Sequence, residues 1–136
     1  MAKKTNRRAN GTLGPYSPYG EEFLRFHIGA PRDVRENALA LLDFAVGEYA
    51  GRATRFGILA AESQREIDRL EETGKRLAER MRGFPRAQLS AMNRNTSDLL
   101  AETRHKAKLR ERADLYRHAL AEARKARAAL AESLGL

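Results

Sequence analysis

No proline interrupts the chain between Pro31 and Pro85, and along that stretch apolar residues return alternately every three and four positions. One set reads Leu39, Val46, Ala53, Ala60, Ile67, Gly74 and Met81; a second, offset by three, reads Leu42, Tyr49, Phe56, Ser63, Leu70 and Leu77. Only Ser63 among them is plainly polar. A strand repeats every second residue and cannot carry this spacing, whereas a helix packed lengthwise on another helix requires it. The seam is rich in small residues, so it favours close approach of a partner helix over a leucine zipper. Leu41 and Ala45 widen the apolar face early on. Gly47, Gly51 and Gly57 fall in the same stretch, each weakening a helix by about 1 kcal/mol relative to Ala, and mark a place for a bend or for the close approach of another backbone.

This helix is expected over about residues 33–82. Asp33 stands as its cap, with Glu36 three residues on in capping-box spacing. Gly83-Phe84-Pro85 then stops one helix and starts another. The second helix is expected over about residues 86–134. Leu89, Met92, Thr96, Leu99 and Thr103 carry its early seam. Leu109, Ala113, Tyr116, Leu120, Ala123, Leu130 and Leu134 carry the later one. A polar cluster from Asn93 to Asp98 separates the two and is a place for a kink. Two nearly equal helices joined by a short turn fold back on each other. The fold class is therefore all-α: a long antiparallel, coiled-coil-like helical hairpin, or the same helices bent into a three-helix bundle near Gly47–Gly57. Such a hairpin buries little of its own surface, so other protein subunits are expected around it, as a homo- or hetero-oligomer. Twelve residues are expected in the seams: Leu42, Val46, Tyr49, Phe56, Ile67, Leu70, Leu77, Met81, Leu99, Tyr116, Leu120 and Leu130.

Residues 1–20 read differently. Lys3, Lys4, Arg7 and Arg8 meet no acid before Glu21, and a Gly/Pro/Tyr segment follows, with Pro15 and Pro18 favouring extended backbone. This is an extended basic arm. Pro-bracketed aromatics suit a groove on another protein, so Leu13, Tyr16, Tyr19, Phe23 and Phe26 are candidate docking residues. The same rings could instead pack back on the chain's own helices. Residues 21–31 form a short helix, or less naturally a strand, ending at Gly29-Ala30-Pro31.

The net charge is +8. Residues 62–82 interleave six acids with six bases and read as a solvated helix surface. Residues 103–127 hold nine cations against Glu111, Asp114 and Glu122. Arg110, Arg117 and Arg124 recur every seven residues, and Lys106 extends their line by one turn. With Lys3, Lys4, Arg7 and Arg8 these residues are candidates for contact with phosphate or with an acidic partner. No zinc-finger, helix-turn-helix or aromatic RNA-binding pattern accompanies them.

Chemistry-bearing constellations are missing from the sequence. There is no cysteine, and His27, His105 and His118 are not spaced as metal pairs. No phosphate-binding loop or nucleophile motif occurs. The expectation is a protein without enzymatic activity, catalytic residues, metal or cofactor. No apolar run reaches the length of a membrane span, and no signal-peptide pattern opens the chain. Residence in the cytoplasm, a virion or another intracellular particle follows. The function expected is a structural or adaptor subunit of a multi-protein assembly, docking by its hairpin and arm. The alternative is a nucleic-acid-binding accessory protein that contacts phosphates without sequence preference.

Overall fold

The structure is a computed structural model, and it describes residues 17–136. The arm residues Lys3, Lys4, Arg7, Arg8, Leu13 and Tyr16 lie outside the described residues. Three helices form: α1 (Glu21–Ile28), α2 (Arg32–Arg80) and α3 (Pro85–Ser133). No strand occurs among the described residues. The all-helical architecture expected from the repeat is what the chain adopts.

Both long helices are unbroken. The glycines do not divide α2, and the polar cluster at residues 93–98 does not interrupt α3. Asp33 is not the cap of α2, which begins one residue earlier; it sits within the first turn, where its charge faces the free N–H groups. At the far end, α3 closes on Gly135, whose φ of +79° is a conformation that residues with a Cβ adopt at a cost. The Leu136 N–H donates to Ala131 O (2.9 Å) and the Gly135 N–H to Glu132 O (3.0 Å), the bonding of a Schellman cap.

The described chain divides into two compact units. The first contains the described residues up to Arg55 together with Arg112–Leu136; the second is Phe56–Glu111. In the first unit the α2 and α3 segments run antiparallel. Arg35 donates to Ser133 O (2.8 Å), Asp43 pairs with Arg127, and Tyr49 stacks at a tilt on Tyr116 (6.1 Å). Residues advancing along α2 thus meet residues receding along α3. The buried side chains are Ala38, Leu42, Ala45, Tyr49 and Ala53 against Ala113, Tyr116, Ala119, Ala123, Ala126 and Leu130.

The bulky residues of the repeat do not all lie in this seam. Leu39, Val46 and Leu120 are only half-buried, and Leu41 is exposed. Their alanine neighbours at 38, 45 and 119 take the central positions instead, because small side chains let two backbones approach closely.

The second unit pairs its helices antiparallel as well, but with a thinner and more polar seam. Ala60, Ile67, Leu70 and Leu109 are buried, and Phe56, Leu77, Met81 and Leu99 are half-buried. Leu89, Thr96 and Thr103 face outward, correcting the early seam expected for α3. Met92 and Leu99 keep their expected places, and Gln88, Asn95, Glu102 and Lys106 stand half-buried in place of the others. The buried Ser63 donates to the Glu102 carboxylate, Lys106 donates to Gln64, and Gln88 Nε2 donates to Ala78 O (2.6 Å). These cross-helix bonds satisfy polar groups that would otherwise be costly to enclose. Gly74 leaves the room that the Asn95 amide occupies: a Cβ there would lie 2.7 Å from Asn95 Nδ2.

Gly47 and Gly51 make no such room within the chain, since a Cβ at either would meet nothing within 4 Å. Replacing both with Ala is expected to stabilise the chain by about 1–2 kcal/mol, because Ala loses less backbone entropy in a helix. Thermal melts followed by circular dichroism read this directly, and a lowered midpoint would contradict it.

Candidate interaction surfaces

In the first unit the segment before α1 is held by aromatic contacts. Tyr19 is 6% exposed. Its ring meets Phe23 edge-on at 4.9 Å, and Phe23 stacks on His27 at 4.1 Å. His27 Nδ1 lies 2.8 Å from Phe23 O; a carbonyl only accepts, so that nitrogen carries the proton. Tyr19 therefore fastens the start of α1 and does not offer its ring to a groove on another protein. Phe23 is half-buried, whereas Phe26 is 76% exposed and remains available. A recess of about 340 Å³ lies beside Tyr19, lined also by Gly20, Glu21, Leu24, Glu122, Lys125 and Ala126. The recess carries two carboxylates and one ammonium, and no group of three or more potential metal ligands occurs among the described residues.

Tyr49 sits at the centre of this unit. It is fully buried, and its phenol oxygen has no well-formed hydrogen bond, the Ser17 hydroxyl interacting with it only weakly. Burial pushes its pKa up to about 12, and the nearby Ser17 hydroxyl only partly offsets this. The folded chain thus favours the neutral phenol. A folded-state pKa above the unfolded value of 10.0 contributes stability that is complete below pH 10 and is lost as pH rises through about 12. Thermal midpoints measured across that window should fall for the wild type and fall less for Tyr49→Phe. Equal losses in both would rule out Tyr49 as the source.

The cations expected to form one line do not act alike. Lys106 faces α2 within the second unit and is engaged by Gln64, so it leaves the line. It lies on the seam side of α3, four residues from Glu102, which bonds Ser63. Arg110 is exposed in the second unit, and Arg117 and Arg124 are exposed in the first. Arg117 also pairs with Asp114 (2.5 Å). Arg32 and Arg35 serve the fold: both donate to carbonyls at the end of α3, Leu134 O at 3.4 Å and Ser133 O at 2.8 Å. On the exposed surface of the second unit, the hydrogen bond from Arg69 holds the Glu66 carboxyl below its usual range. Pairs of this kind contribute little to stability.

The largest feature that the sequence reading passed over is the outward face of α2 in the first unit. Ala40, Phe44, Gly47, Gly51 and Thr54 follow one another at steps of four and three, and all are exposed. This spacing places them on the side of the helix away from Leu42, Ala45 and Tyr49. None is charged, and Phe44 is 60% exposed. Val34 and Leu41 are also exposed, on the flank between this face and the seam. The signal was present in the sequence as a second four-three repeat, hidden by its small residues. No helix among the described residues is long and apolar enough to cross a membrane. The chain matches no protein-family profile, no curated protein and no solved structure.

Proposed function

We propose that this chain is a non-enzymatic structural or adaptor subunit of a larger protein assembly, acting inside a cell or a virion-type particle. The observation that supports this reading is the uncharged outward face of α2 in the first unit. A helix exposed to water on that side has no need of Phe44, and mid-helix glycines at 47 and 51 weaken it. A neighbouring subunit packed there would bury Phe44 and use the absent side chains for close approach.

The alternative of phosphate contact rests on Arg110 and Arg124 in α3 and on Lys3, Lys4, Arg7 and Arg8 of the arm, which lie outside the described residues. It loses Lys106 to Gln64 and shares Arg117 with Asp114. Affinity capture of the wild type and of Phe44→Glu from the native host, with light scattering of the purified complexes, separates the two. Protein partners present in fixed ratio with the wild type and lost with Phe44→Glu support the subunit reading, provided helicity is unchanged. The same partners on both, or nuclease-sensitive nucleic acid alone, would count against it.

A further inference from the structure

Within the second unit, the turn joining α2 to α3 collects charge and apolar surface that the unit's own packing does not use. Residues 73–95 contain six cations, Lys75, Arg76, Arg80, Arg82, Arg86 and Arg94, and one acid, Glu79. All are exposed, and none belongs to an ion pair among the described residues. At the turn itself Phe84 is 68% exposed, and Leu89 in the start of α3 is 64% exposed. The backbone that carries them is tied down. The Phe84 N–H donates to Met81 O (3.0 Å), the Gln88 N–H donates to Phe84 O (2.8 Å), and the Gln88 side chain bonds across to Ala78 O.

A single exposed apolar side chain needs no explanation. Phe84 on the turn and Leu89 five residues on in the start of α3, among six cations and one acid, match a surface that is anionic outside and apolar beneath. We infer that this turn binds the surface of an anionic lipid bilayer. Phe84 and Leu89 enter the headgroup layer, and the arginines at 80, 82 and 86 meet lipid phosphate and carboxylate groups. A nucleic acid could stack a base on Phe84 but would leave Leu89 in water. The attachment is peripheral, because no described helix can span a bilayer. It is weakened by salt, because the cations are exposed. This inference stands apart from the subunit reading, which concerns the other unit.

The full chain is mixed with phosphatidylcholine vesicles, with or without phosphatidylserine, and sedimented. Wild type is expected to pellet with the phosphatidylserine vesicles only. Phe84→Ser with Leu89→Ser should weaken binding by about tenfold or more, as expected for withdrawing two large apolar side chains from the interface. Arg80→Glu with Arg82→Glu and Arg86→Glu should abolish binding. Circular dichroism establishes that both variants stay helical. The chain has no tryptophan, so the indole of an F84W variant is a unique reporter, and its emission should shift to the blue on anionic vesicles alone. Wild type remaining in the supernatant, a serine variant that binds as well as wild type, or unshifted F84W emission would overturn the inference. So would binding to a duplex oligonucleotide that needs the same arginines while anionic vesicles are ignored.

Discussion

Replacing Tyr49 with Ala is expected to destabilise the first unit by about 3–5 kcal/mol, a large share of the stability of any domain this size. Tyr49 is the largest fully buried side chain there, and its neighbours in the seam are mostly alanines with no reach to fill the gap. The cavity would therefore stay open, which is the costly case. Tyr49→Phe supplies the control. It keeps the ring against Tyr116 and removes a buried hydroxyl whose only hydrogen-bonding neighbour, Ser17, is poorly placed for it. It should be neutral or stabilising by about 1 kcal/mol, since an unsatisfied buried group carries a desolvation penalty. Chemical denaturation of the three proteins measures both effects. A Tyr49→Ala loss below about 1 kcal/mol would mean that the ring is not enclosed as described.

Ile67→Asp should disrupt the second unit, with a loss of about 4 kcal/mol or more. Few large side chains are buried in that unit, and Ile67 and Leu70 lie at its middle. Aspartate there would remove the packing and enclose a charge beside a seam that already contains the Glu102 carboxylate. Hydrogen exchange read segment by segment locates the damage. Protection lost over residues 60–109 is the expected result. Unchanged protection there would show that the α2 and α3 segments of this unit do not depend on their mutual contact.

Much of the fold was legible in the four-three repeat, and the reason is geometric. Leu42, Tyr49, Ile67, Leu70, Tyr116 and Leu130 are large and regularly spaced, and each lies buried in a seam. The errors have physical causes too. Reading by bulk placed Leu39, Val46 and Leu120 at the centre, whereas the close-packed part of the seam selects alanines one position away. Of the polar seam residues in the second unit, the repeat marked Ser63 but not Gln64, Glu102 or Lys106. Ser63, Gln64, Glu102 and Lys106 are tolerated there only because they bond one another across the helices, and no local pattern announces such pairs.

The surfaces were harder to read than the core. Tyr19 looked like a docking residue because extended, Pro-bracketed aromatics have the same sequence whether they bind a neighbour or their own helices. The charged stretch over residues 62–82 looked balanced when counted as a block. Its acids lie mainly toward the start and its bases toward the turn, so the excess appears once residues 73–82 are counted apart, and Arg86 and Arg94 add to it. The outward α2 face was hidden because glycine and alanine register as gaps in a hydrophobic pattern.

Thiol cross-linking puts the antiparallel pairing of α2 with α3 most directly at risk, and the chain contains no cysteine to complicate it. Asp43→Cys with Arg127→Cys tests the first unit, and Gln64→Cys with Lys106→Cys tests the second. A short bis-maleimide should bridge each pair within one molecule, because the native side chains meet end to end across the same gap. A displaced pair in each unit, Asp43→Cys with Arg112→Cys and Gln64→Cys with Arg94→Cys, should not be bridged. Displaced pairs closing as fast as matched ones, or matched pairs linking only between molecules, would contradict the register on which the structure rests.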